Sequence, residues 1–198
     1  MSRKIVAIAG SYRKGGTIDR AVEAVLEGAR EKGAQTHIID LAEQYLEFCT
    51  NCRQCTQTPG TERGKCAQQD DLEAILAEIE AADAVVLASP VNHYNVTAIF
   101  RRFLERSLGY VYWPWGQNAP RLRSKRQPRQ AVLVASAAMP GFLIPFATGA
   151  ARALRLTASS LGAKPVASLW IGLASREPHS PLSARTLDKA RRLGRKLA

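Results

Sequence analysis

The chain has 198 residues, 46% of them hydrophobic and 23% charged, the balance of a globular protein of one domain long enough to bury a core. No apolar run reaches the length of a membrane span, and MSRKIVAIAG is too short in apolar residues for a signal peptide, so a cytoplasmic protein with reduced thiols is expected. The net charge of +11 is divided: residues 1–99 carry 10 Lys and Arg against 14 Asp and Glu, residues 100–198 carry 18 against 3.

In chain order, Lys4 to Gly10 reads as a buried strand ending in glycine. Residues 17–32 place Ile18, Val22, Val25, Leu26 and Ala29 at helical spacing, with Thr17 or Asp19 as the cap. A second strand is expected from Ala34 to Leu41, and a helix over 70–82 capped by Asp70. A third strand, Asp83 to Ser89, leads to a helix over 96–108 with Phe100, Phe103 and Leu104 on one face. Gln130 to Ser136 is a fourth strand, 145–162 a helix, Pro165 to Gly172 a fifth strand and 181–197 a final helix. Five strands alternating with five helices predict an α/β domain with a parallel sheet covered on both faces.

Ligands of such sheets sit beyond the carboxyl ends of the strands. The loop after the first strand, Gly10-Ser11-Tyr12-Arg13-Lys14-Gly15-Gly16-Thr17, reads as a phosphate cradle. It offers backbone N–H groups, hydroxyls, a cation and a helix N-terminus, in neither the G-x-x-x-x-G-K-[ST] nor the G-x-G-x-x-G order. The loop after the third strand, Ser89 to Thr97, offers amide, imidazole and phenol groups suited to a flat heteroaromatic ring. The loop after the fourth, Ser136 to Gly141, is small enough to pass close to the same ring. His93 is read equally as a structural hydrogen-bonder or a proton relay. His37 is read as structural, and His179 stands in a proline-flanked loop.

All four cysteines, Cys49, Cys52, Cys55 and Cys66, fall in one segment. C-x2-C-x2-C with a fourth thiol at a distance suits the corners of a [4Fe–4S] cluster, whereas zinc more often takes two separated C-x2-C knuckles. A cluster, a thiol loop without one, and zinc or a disulfide all stay open. The stretch GYVYWPWG is either packing beneath a long loop or an aromatic wall at an interface or over a ligand. The basic groups Arg121, Arg123, Lys125, Arg126 and Arg129, and the run Arg185 to Lys196, suit a solvated face, an anionic cofactor or an acidic neighbouring subunit. Nucleic acid is not expected, since no aromatic interleaving accompanies them.

On the residues GSYRKGG, SPVNHYNVTAIFRRFLERS and SAAMPG, the chain resembles the NAD(P)H-dependent FMN reductase family from residue 4 to about 172. The resemblance implies a flavodoxin-like, doubly wound, five-stranded parallel sheet of order 2-1-3-4-5, one domain over 1–198, a cysteine-rich insertion at about 46–69 and an aromatic, basic loop at about 109–129. It implies FMN as cofactor and NAD(P)H as co-substrate, with Ser11, Arg13, Gly16, Thr17 and Ile18 at the phosphate end. Pro90, Val91, Asn92, His93, Tyr94, Asn95 and Val96 would line the isoalloxazine, and Ser136, Ala137 and Gly141 would close its other side. Family members often carry Asn between the glycines and the Thr or Ser; here Thr17 follows Gly16 directly. The cofactor carries the chemistry in this class, so no catalytic acid or base is assigned.

Within the family, the cysteine motif followed by Asp70-Asp71 resembles the iron-sulfur flavoprotein branch, with a longer last gap. By that resemblance Cys49, Cys52, Cys55 and Cys66 would ligate a [4Fe–4S] cluster. The expected activity is electron flow from NAD(P)H through flavin to a small-molecule acceptor (flavin, quinone or another oxidant). The alternative is an electron-transfer module with a ferredoxin-like partner. A homodimer or homotetramer is implied, and no membrane.

Overall fold

The computed structural model describes residues 2–175 and 181–198; His179 lies outside the described residues. The chain runs β1 (Lys4–Ala9), α1 (Thr17–Arg30), β2 (Gln35–Asp40), α2 (Leu72–Glu80), β3 (Ala84–Asn92), β4 (Asn95–Val96) and α3 (Ala98–Arg106). It continues through β5 (Val111–Tyr112), β6 (Arg121–Leu122), β7 (Arg129–Ser136), α4 (Ile144–Ala147), α5 (Ala150–Ser160), β8 (Ala163–Ile171) and α6 (Ala184–Leu197).

The main strands are parallel in the order β2-β1-β3-β7-β8, the expected 2-1-3-4-5 topology. Alternate residues of each strand face opposite sides; the central strands β1, β3 and β7 are buried on both, while the edge strands β2 and β8 keep exposed residues. Val6, Ile8, Val85, Leu87, Leu133 and Ala135 pack against α2, α3 and α5, together with Phe100, Phe103 and Leu154. Ile5, Ala7, Val86, Ala88, Val132 and Val134 pack against α1 and α6 through Val22, Val25, Leu26, Leu193 and Leu197. Burial on both faces is why these strands read as unbroken apolar runs rather than alternating ones.

Three departures from the expected elements have local causes. The helix expected over 145–162 breaks into α4 and α5, because Thr148 is extended and Gly149 passes Asn95 so closely that a Cβ would lie 2.8 Å from Asn95 Nδ2. The third strand runs on past Ser89 through Pro90 to Asn92 and folds back as β4, with Asn92 opposite Asn95. His93 (φ 46°) and Tyr94 (φ 63°) form the two-residue turn between them, both left-handed. That is the backbone of a type I′ hairpin, which favours Asn and Gly. The third departure is the short β5–β6 hairpin within the aromatic, basic loop.

No helix among the described residues is long and apolar enough to cross a membrane.

Candidate functional site

At the carboxyl edge of β1, β3 and β7 lies a cavity of about 310 Å³. Ser11, Arg13, Gly16, Thr17 and Ile18 line one end, and Pro90, Val91, Asn92, Ser136 and Ala137 the other. Tyr12, Thr97 and Ala138, which stand in the three loops read from the sequence, and Ala174 and Ser175, which that reading missed, complete the lining. Ala174 and Ser175 follow β8, and no side-chain signal marks them; only the topology brings that strand's end to the site.

Of the remaining expected residues, His93, Tyr94, Asn95, Val96 and Gly141 do not line the cavity. The hairpin accounts for four of them. His93 and Tyr94 are exposed at its tip, Asn95 turns to its own Val96 N–H at 2.8 Å, and Val96 joins the core. Gly141 lies against the Trp170 carbonyl and Gly172 instead.

The loop's hydrogen bonds explain its shape. Ser11 Oγ accepts from Arg13 N–H at 3.2 Å, and Gly16 N–H donates to Arg13 C=O at 3.3 Å, curling the backbone. The N-cap of α1 is Gly16 rather than Thr17 or Asp19, and no side chain caps it. Asp19 reaches back to the Gly15 N–H at 2.7 Å. Burial pushes the Asp19 carboxyl above its ordinary range, against that hydrogen bond. The helix thus begins beside Arg13 and Thr17 without a side-chain cap, as an anion subsite requires. Beyond it the wall is made of small apolar groups and backbone, as a flat ring requires. The lining suits a ligand that joins an anionic group to a flat ring.

Thr97 fixes the two loops to each other. It is buried, caps α3 by accepting from Phe100 N–H, and donates to the Gly10 carbonyl at 2.7 Å. Ser89 Oγ accepts from Thr97 N–H at 3.1 Å.

The cysteine segment forms a second candidate centre. Its thiols are all free, with Cys52 the exposed one. Asn51 and Arg53, on either side of Cys52, are both left-handed (φ 53° and 59°). The aromatic, basic loop is what shapes this segment. The Arg53 guanidinium is sandwiched between the Trp113 and Trp115 rings, 3.8 and 4.1 Å from their centroids. Trp113 N–H donates to Thr56 C=O at 3.0 Å. Arg123 donates to the carbonyls of Cys55, Thr58, Gly60 and Gly109. Gly64 leans on this lattice so tightly that a Cβ would stand 1.8 Å from the Cys55 carbonyl oxygen. The tryptophans therefore pack under the cysteine segment and do not line the carboxyl-edge cavity.

Burial, helped by the charges of the three other thiols, pushes the Cys55 thiol up to about 11. Among the described residues, no three His, Cys, Asp or Glu side chains converge as a finished metal cage. The surroundings of the segment are cationic. Arg106, whose side chain is fully buried, grips Asp70 through both carboxylate oxygens and donates from Nη2 to Cys66 Sγ at 3.4 Å. Asp70 is not the expected helix cap: the N-cap of α2 is Asp71, without a side-chain cap, and Asp70 accepts from Leu72 N–H at 3.1 Å while gripping this guanidinium.

A larger cavity, about 520 Å³, opens at the amino end of β7 and β8. Three of its arginines are already engaged, Arg63 by Glu73 and Glu80, and Arg123 and Arg129 by backbone carbonyls.

The model of the NADPH-dependent FMN reductase family matches residues 3–174. The chain belongs to this family. Curated relatives include an iron-sulfur flavoprotein of Archaeoglobus fulgidus, 34% identical over 111 residues, 56% of this chain and 48% of that one. Another is the iron-sulfur flavoprotein of Methanosarcina thermophila, 30% identical over 105 residues, 53% of this chain and 52% of that one. The chain spans about half the length of the curated relatives it matches.

Among solved structures, the NAD(P)H:quinone oxidoreductase of Methanothermobacter marburgensis superposes with a TM-score of 0.72 at 22% identity over 100% of both chains. The azoreductase of Bacillus anthracis str. Sterne superposes with a TM-score of 0.70 at 14% identity, over 99% of this chain and 100% of that one. At these identities the superpositions speak for the fold that the family shares.

Proposed function

We propose that the chain is an FMN-dependent oxidoreductase that takes electrons from NAD(P)H and delivers them to a small-molecule acceptor such as a flavin or quinone. The observation that carries this reading is the carboxyl-edge cavity. It joins an α1 N-terminus without a side-chain cap, beside Arg13 and Thr17, to the backbone-rich walls Pro90–Asn92 and Ser136–Ala138. When bound, FMN supplies the chemistry: it accepts a hydride from NAD(P)H and releases electrons to an acceptor.

The protein's part is binding and orientation. Arg13, Thr17 and the first-turn N–H groups hold the phosphate, with Ser11 shaping the loop. The Thr97–Gly10 bond keeps the phosphate loop in register with the ring wall, and Pro90 and Val91 keep water from one side of the ring. The domain is one FMN-binding unit over 1–198, with the cysteine insertion at about 46–69 and the loop at about 109–129 that packs on it.

Exposed Tyr12, Tyr94, Phe142 and Phe146 on the carboxyl-edge loops support a homodimer or homotetramer that covers this edge. Anaerobic mixing of FMN-loaded protein with NADPH, then with NADH, tests the activity. Rapid bleaching of the flavin absorbance by either supports it, and no bleaching by both contradicts it.

A second reading has its own support. Four free thiols in one segment, a guanidinium on Cys66 and relatives named iron-sulfur flavoproteins favour a cluster on Cys49, Cys52, Cys55 and Cys66. The protein would then pass single electrons to a ferredoxin-like partner. Iron and acid-labile sulfide in anaerobically purified protein decide between the two.

A further inference from the structure

The last helix, α6, carries six cations and a single carboxylate, Asp188. Its cations fall into two rows. One row, Arg191 and Arg195, faces α1. Arg191 Nε lies 2.9 Å from Glu27 Oε2, and Arg195 Nη1 lies 2.6 Å from Glu31 Oε2. Both helices advance by four residues between these two contacts, so they run in the same direction. The carboxylates of α1 thus meet this row of α6 pair for pair, each row keeping to one face of its helix.

The other row is Arg185, Lys189, Arg192 and Lys196, at steps of four, three and four residues. At 3.6 residues per turn and 1.5 Å each, these four fall within about 60° of the helix circumference and extend roughly 16 Å along it. All four are exposed. Among the described residues, no carboxylate lies within ion-pair distance of any of them; the ion pairs of α6 are those of Arg191 and Arg195. The outer row therefore repeats the chemistry of the inner row without its partner. Because α6 runs along α1, its first turn lies toward the end of the molecule where α1 begins, beside the carboxyl-edge cavity.

We infer that the outer row of α6 docks an acidic helix of another protein, one whose carboxylates recur at the same steps of four, three and four. The contact between α1 and α6 is the template for it. A second copy of this chain is a poor occupant, because Glu23, Glu43, Glu73, Glu78, Glu80 and Glu105 are each paired within the chain. Nucleic acid fits less well than protein: α6 has neither an aromatic ring to stack on a base nor an Asn or Gln to read one. No large apolar side chain of α6 is exposed. The contact is thus one of charge, quick to form, transient and sensitive to salt.

The test uses the full chain and a dye-labelled helical peptide bearing Glu at steps of four, three and four. A permuted peptide of the same composition and a mixed-sequence DNA duplex are the comparisons. Binding is read by fluorescence anisotropy at ionic strengths of about 0.01 M and 1 M, where screening lengths are about 30 and 3 Å. The row peptide should bind about tenfold more tightly than the permuted one, the worth of four exposed ion pairs, and should be released at high salt. R185Q/K189Q/R192Q/K196Q, with native circular dichroism, should lose that preference. R185E/K189E/R192E/K196E should transfer it to the same peptide with Lys in place of Glu. If either variant fails to fold, the comparison of the two peptides on wild type decides. Equal affinity for both peptides, or no binding at low salt, overturns the inference and leaves the row a solvated face. A duplex that binds more tightly than the row peptide overturns it in favour of nucleic acid. An oligomer that dissociates in the Gln variant overturns it in favour of a second copy.

Discussion

The Thr97 hydroxyl donates to the Gly10 carbonyl at 2.7 Å, joining two loops 87 residues apart in the chain. The same oxygen caps α3. One buried hydroxyl thereby holds the β1–α1 loop, the end of the β3–β4 hairpin and the start of α3 together. Thr97→Val leaves the Gly10 carbonyl and the Phe100 N–H without their partner. Losing a cap costs about 1 kcal/mol and an unmet buried acceptor about 1–3 kcal/mol. Urea unfolding should show a loss of about 2–4 kcal/mol, and FMN affinity should fall with it. A stability unchanged within error would contradict this role.

The cysteine segment and the carboxyl-edge cavity are separable. Gly64→Ala drives a methyl group into the Cys55 carbonyl, backbone against backbone, at a cost of about 1–3 kcal/mol. The variant should lose iron or thiol order while still binding FMN. Equal loss of FMN and iron would show that the two sites are one structural unit.

Asp70 gives the protein a pH signature. Burial alone would raise its carboxyl, but the Arg106 guanidinium and the backbone N–H groups of Glu47 and Leu72 outweigh it and hold it below the usual carboxylate range. A carboxyl depressed in the folded state stabilises fully above its unfolded pKa of about 3.9, and that stability is lost as pH falls through the lower folded value. Glu73, also lowered, by Arg63, adds to the same trend. Urea midpoints should therefore fall steeply below about pH 4. Asp70→Asn should cost about 3–5 kcal/mol at pH 7, because it leaves a buried guanidinium unpaired, and should flatten the acid slope. A variant with wild-type stability at pH 7 would contradict the buried-pair account.

The His93–Tyr94 turn is strained by residue type. Each L residue held left-handed costs about 1–2 kcal/mol, and Asn-Gly is the pair such a turn prefers. His93→Asn with Tyr94→Gly should raise unfolding stability by about 1–2 kcal/mol and leave FMN affinity unchanged, since neither side chain lines the cavity. Weakened FMN binding would restore the tip to the cofactor site.

These residues also mark how far the sequence could be read. The apolar runs VAIA and VVLAS are strands buried on both faces, so their signal is continuous and their order follows from topology. Ser11, Arg13 and Thr17 were legible because a glycine loop between a strand and a helix has one common geometry. The hairpin tip was not legible, because turn chemistry predicts Asn and Gly where His93 and Tyr94 stand. Arg53 between two tryptophans and Arg106 on Asp70 are pairings across 60 and 36 residues, and no local periodicity carries them. Ala174 and Ser175 enter the site by where β8 ends, not by what they are.

The measurement that bears most directly on the central claim is an FMN titration of the purified protein, wild type beside Arg13→Ala, followed by flavin fluorescence. The account predicts one FMN per chain in the wild type. It predicts an affinity at least about tenfold weaker in the variant, the worth of one charge-assisted hydrogen bond. A colourless protein that takes up no FMN, or a variant that binds as tightly as wild type, would contradict the assignment of the carboxyl-edge cavity.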